Sequence, residues 1–87
     1  MEYKVFFTNK SEKELKKLAK SDALRVLNSL NKLTYPFPAN ADIRKMVNHN
    51  HSYRLRVGSL RVIFIMQPEE KRILILKIGY RGNIYQN

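Results

Sequence analysis

Arg54, Arg56 and Arg61 stand within the run SYRLRVGSLRVIF, residues 52 to 64. A guanidinium is planar, permanently charged and forked, so it grips phosphate oxygens two at a time. The first two arginines alternate with Tyr53, Leu55 and Val57, which is the period of a strand. Gly58-Ser59 has the composition of a two-residue hairpin turn. Closing a hairpin there sets Val57 against Leu60, Arg56 against Arg61, Leu55 against Val62 and Arg54 against Ile63. One face then carries Tyr53, Leu55, Val57, Leu60, Val62, Phe64 and Met66, and this face should meet the core. The other carries Arg54, Arg56, Arg61, Ile63 and Ile65. Like charges directly opposite one another cost up to about 1 kcal/mol. A fold tolerates the pair if both side chains splay into water along their apolar stems. It uses the pair if a phosphate lies between them, and three arginines on one face point to an anion site.

The end of the chain adds to this chemistry. In GYRGNIY, Gly79 and Gly82 are expected to turn the backbone sharply after a last strand and to present Tyr80, Arg81 and Tyr85. An arginine between two tyrosines suits nucleic acid, the guanidinium meeting phosphate and a ring stacking on a base. His49 and His51, in the polar run NHNHS, precede the arginine strand, and His51 is the nearer to it.

Charge points the same way. Seventeen Lys and Arg against seven Asp and Glu give the 87-residue chain a net charge of +10. Residues 1 to 43 hold eight basic and five acidic side chains, and residues 44 to 87 hold nine and two. A solvated helix face accounts for Lys10, Lys13, Lys16, Lys17 and Lys20, but not for the excess in the second half. Such a balance calls for a polyanionic partner. With no cysteine and two histidines, neither a disulfide nor a metal site is expected, and no cofactor is implied. No apolar run approaches the roughly 20 residues that span a bilayer, and MEYKVFF is too short and mixed for a signal peptide. The expectation is a soluble, cytoplasmic protein whose residues 1–87 form a single domain.

The positioning elements follow from the patterns around these residues. EYKVFFT reads as a first strand. Ser11 and Glu14 have capping-box spacing, which predicts a helix from about Ser11 with Leu15, Leu18 and Ala19 as its apolar stripe. Leu24, Leu27, Leu30 and Leu33, with Ala23 and Val26 beside them, predict a second helix, and the tight KSD junction an antiparallel helical hairpin. YPFPAN ends that helix, since residues before proline leave the α region. DIRKMV reads as a possible short strand, SLRVIFIM and RILILKI as longer ones, and QPEEK as a turn. The plan is α+β: an N-terminal strand, an antiparallel helical hairpin, then a mostly antiparallel sheet of three to four strands.

With YRLRVGSLRVIF, RILILKIG and YRGNIY on the page, together with LTYPFPANADIRKM, the chain resembles the RelE/ParE superfamily of toxins over essentially its whole length. The resemblance implies a RelE-like fold. In the RelE branch it implies a ribosome-dependent mRNA endonuclease that cuts in the A site and so inhibits translation, by 2′-hydroxyl attack that leaves a cyclic phosphate. It implies catalytic roles for Arg54, Arg56, Arg61, Arg81 and Tyr85, and substrate contacts for Lys45, His51 and Tyr80. Better-known RelE members carry lysines where this chain has Arg54 and Arg56. Arginine does not release its proton at ordinary pH, so these two suit phosphate clamping and not base catalysis. Tyr85, Tyr80 or His51 then remains as base, or in-line positioning on the ribosome supplies most of the rate. The implied partners are a RelB-like antitoxin in a hetero-oligomer, the ribosome and mRNA, with no membrane. Two other readings share the charge: a ParE-like inhibitor of DNA gyrase on the same fold, and a non-catalytic basic RNA-binding module.

Overall fold

The computed structural model describes residues 3–47 and 51–80. The elements run β1 (Lys4–Phe7), α1 (Asn9–Lys17), α2 (Lys20–Asn31), β2 (Asp42–Lys45), β3 (Ser52–Val57), β4 (Leu60–Gln67) and β5 (Arg72–Tyr80). The strands form one sheet in the order β1-β5-β4-β3-β2. β1 is parallel to β5, and every other pairing is antiparallel. The helices carry the chain from β1 at one edge to β2 at the other, which is how one face of the sheet becomes covered. This is the expected α+β plan, with the short DIRK strand present as β2.

The first helix begins a turn earlier than the Ser11–Glu14 spacing predicts. Thr8 is its N-cap, and its hydroxyl accepts the Ser11 N–H at 3.1 Å. Ser11 is instead fully buried, and its hydroxyl donates to the Ile75 carbonyl at 2.8 Å. Glu14 does not close a capping box: its carboxylate accepts the backbone N–H of Ile78 at 2.9 Å. β1 pairs with β5 only as far as Ile75. Beyond that point α1 satisfies the backbone that the missing strand would have bonded, as a covered sheet edge requires.

The second helix also departs from expectation. Val26, Leu30 and Leu33 are buried, whereas Leu24 is 51% exposed. A repeat of three drifts around a helix of 3.6 residues per turn, so four leucines at that spacing cannot share one face. The positions i, i+4 and i+7 can, and these are the ones that meet the sheet. There they pack with Leu55, Leu60, Val62, Phe64, Met66, Ile73, Ile75 and Ile78. Phe37, from the YPFP segment read only as a helix stop, joins this core. Its ring lies edge-on to Tyr53 at 5.1 Å and to Phe64 at 6.0 Å.

Candidate functional site

Gly58 takes φ 59°, the left-handed conformation its turn demands, and the hairpin closes in the expected register. Arg56 pairs with Arg61, and Arg54 with Ile63. The flanking strands extend these pairs into two rows across the sheet. One row reads Asp42, Arg56, Arg61, Gly79, and the other reads Arg44, Arg54, Ile63, Lys77. Cross-strand partners share a face, so Arg44 and Lys77 join the arginine face, with Asp42 beside them. None of the three stood out in the sequence, because only sheet order brings β2 and β5 alongside β3 and β4.

Arg44 is exposed at the sheet edge, but the three hairpin arginines are not splayed into water. Arg61 is 2% exposed, Arg54 and Arg56 are half-buried, and Ile63 is 7% exposed. A solvated sheet face is therefore not what this surface is. Among the described residues, Arg61 Nε and Arg54 Nε and Nη2 are buried without a hydrogen-bond partner. On Arg54 these two nitrogens are the side fork of the guanidinium, the edge that takes two oxygens of one acid group. Leaving buried charged donors unfilled costs more than the roughly 1–3 kcal/mol of a neutral one. An anion docking on this face removes that cost.

Other expected site residues lie elsewhere. Lys45 pairs with Tyr53 on the helix-facing side at the exposed sheet edge, where it lines a shallow pocket of about 330 Å³ with Arg44 and Arg54. His51 is exposed, has φ 62° and precedes the first residue of β3. At about 3.3 Å per residue its Cα is roughly 10 Å along the strand from that of Arg54 and roughly 17 Å from that of Arg56. Gly79 does not turn the chain. It lies inside β5 opposite Arg61, where it sets no side chain beside the guanidinium.

Tyr80 ends β5 opposite Leu60, on the helix-facing side and away from the arginines. Its hydroxyl donates to the Asp22 carboxylate at 2.6 Å. That hydrogen bond, then burial and the negative charge of Asp22, hold the phenol above its usual pKa, the opposite of what a general base needs. Arg81 and Tyr85, with His49 and Gly82, lie outside the described residues.

A second cavity, of about 310 Å³, opens where β2 begins, between the end of α2, the Pro38–Asn40 loop and Arg56. Among the described residues no group of three His, Cys, Asp or Glu side chains is placed to hold a metal ion, and no helix is long and apolar enough to cross a membrane.

The family model for the ParE toxin of the type II toxin–antitoxin system parDE matches residues 5–85. The chain belongs to the RelE/ParE superfamily of toxins. The RelE chain of an archaeal RelE–RelB complex from Pyrococcus horikoshii is similar to this toxin at 33% identity and a TM-score of 0.79, with 95% of this chain and 99% of that one covered. A relative from Methanocaldococcus jannaschii that bears the name RelE1 is 29% identical over 89 residues, covering 100% of this chain and 99% of its own. The fold is also that of the toxin in the Escherichia coli RelBE complex, at a TM-score of 0.75 and 18% identity over 90% of this chain and 95% of that one.

Proposed function

We propose that this RelE-like toxin is a ribosome-dependent mRNA endonuclease that arrests translation by cutting the message in the A site. The observation that supports this most is the unfilled side fork of Arg54 on the face it shares with the buried Arg61. Buried cations with open donors fit a phosphodiester, and they fit it better as charge builds on phosphorus. In the proposed reaction the 2′-oxygen attacks the adjacent phosphorus, the bond from phosphorus to the 5′-oxygen breaks, and a cyclic phosphate and a 5′-hydroxyl result. Arg54 and Arg56 clamp the non-bridging oxygens, and Arg61 stabilises the crowded, doubly charged phosphorane. Arg81 assists the departing 5′-oxygen, and Tyr85 stacks on a flanking base. The 2′-hydroxyl proton leaves to a group other than these arginines. Tyr80 is not that group, since its face and its bond to Asp22 both oppose the role. The proton passes to Tyr85 or to water, and in-line positioning on the ribosome supplies the rest of the rate.

The partner we propose is an acidic antitoxin that covers the arginine face or displaces the end of the chain. Complexes of RelE with RelB in Pyrococcus horikoshii and Escherichia coli support that reading.

The match to a ParE model favours one alternative, gyrase inhibition by binding alone. Mapping 5′ ends of message in a translating extract separates the two. New ends within A-site codons, absent with Arg61→Leu, support the ribonuclease. Intact message together with relaxed plasmid persisting in a supercoiling assay would overturn it.

A further inference from the structure

The arginine face continues past the row of Arg44, Arg54, Ile63 and Lys77. Two residues further along β4 stands Ile65, which pairs with Leu74, and Leu74 pairs with Phe6 of β1. Val5 and Phe7 pack on the core, so Phe6 between them lies on the opposite face, with the arginines. Phe6 is 45% exposed. An aromatic ring left in water does little for the fold, since stabilisation comes from apolar area removed from water. One row beyond, Arg72 sets its guanidinium over that ring, 5.6 Å from the centroid, within the range of a cation–π contact. Its Nε donates to Gln67 Oε1 at 2.6 Å, which fixes the guanidinium plane. Lys4 pairs with Arg72 in the same row. Phe6 thus sits between two cationic rows, on the face that holds the proposed phosphate site.

We propose that Phe6 and Arg72 form a stacking platform for an unpaired base of the message, downstream of the nucleotide at the cleaved bond. Phe6 is two strands across and four residues along from Arg61, which puts their Cα atoms about 16 Å apart. That is too far for the base whose own phosphate lies at Arg61, and it suits one further along the strand. A base extends the stack on either plane, ring or guanidinium. Such a surface takes any of the four bases, so it adds affinity without choosing among them. Lys4 and Arg72 place positive charge beside it for the backbone phosphates. A docked protein helix fits less well, because it needs apolar anchors at several positions along its length. Here the exposed apolar area is centred on one ring, with Leu74 and Ile65 half-buried beside it. The assignment rests on the ribonuclease reading but is decided separately from it.

The test measures binding and cleavage separately. A 2′-O-methylated oligoadenylate seven nucleotides long, which cannot be cut, should shift the Phe6 ring and the Leu74 and Ile65 methyl resonances upfield, and a dinucleotide should not. Phe6→Leu keeps the apolar bulk and removes the π-face. It should weaken the longer strand about five- to a hundredfold, the range of one stacked base, and leave the dinucleotide unaffected. Phe6→Tyr should restore the affinity. On ribosomes programmed with message, Phe6→Leu should raise KM by the same factor with kcat held, and the penalty should vanish on message truncated just after the A-site codon. A penalty that persists on truncated message would overturn the message as the source of the base. Unchanged affinity and KM in Phe6→Leu would overturn the platform and leave the ribonuclease standing. If no message is cut and the oligoadenylate still binds as described, the ribonuclease reading fails and the platform stands. Shifts at Phe6 caused by an acidic amphipathic peptide, and not by the oligoadenylate, would assign the surface to a protein and overturn the proposal.

Discussion

The two faces of β4 are both withdrawn from water, and they are withdrawn for opposite reasons. On the helix side Leu60, Val62, Phe64 and Met66 lie within a continuous apolar core. On the other side Arg61 and Ile63 are equally enclosed, but among the described residues Arg61 keeps a donor without a partner, as does its neighbour Arg54. Burial on the first face stabilises the fold by removing apolar area from water. Burial on the second raises the energy of the fold by desolvating charge. A domain this small has a stability of only about 5–15 kcal/mol. It keeps such a face because the face serves something other than folding.

Four measurements bear on that contrast. Leu55→Asp should have the largest effect. It sets an unpaired carboxylate in the core and should leave no cooperative unfolding transition in calorimetry. A folded variant would mean that the faces are misassigned. Phe64→Ala should cost about 3–5 kcal/mol in denaturant unfolding, because a fully buried ring leaves a cavity behind. Arg61→Leu should separate the faces most sharply. Message cleavage should fall about 100- to 1,000-fold, as on loss of one preorganised donor. The melting temperature should hold or rise, because a buried unpaired cation becomes apolar bulk. If Arg61→Leu melts the domain as Phe64→Ala does, the guanidinium is structural and the comparison fails.

Tyr80 should give the smallest effect. Its phenol titrates higher folded than unfolded, so its contribution is fully present below about pH 10 and is lost as pH rises through the raised value. Tyr80→Phe should flatten the alkaline limb of the stability–pH curve and leave cleavage at neutral pH nearly unchanged. A fall in cleavage comparable to that of Arg61→Leu would return Tyr80 to the site.

Much of the hairpin was legible because a strand's period and its turn chemistry are local. Alternation assigned each side chain between Tyr53 and Met66 to its face, and Gly58 pinned the register that sets Arg56 against Arg61. Helix ends were less legible. Ser11 looks like a cap, yet it is needed to bond Ile75, a residue 64 positions away, and Thr8 caps in its place. Tyr80 and Gly79 were read with the end of the chain because glycine weakens a strand signal. Pairing with Leu60 and Arg61 nevertheless carries β5 through both.

Residue types, their alternation and one turn thus determined that this chain places arginines on one side of a hairpin and aliphatics on the other, since each of those outcomes depends on neighbours a few positions apart. Whether that arginine side would be wet or enclosed depended on where β2 and β5 came to lie, and so did the arrival of Asp42, Arg44, Gly79 and Lys77 beside it. Strand order is set by how the whole apolar surface can be covered at once, and no local pattern carries that information.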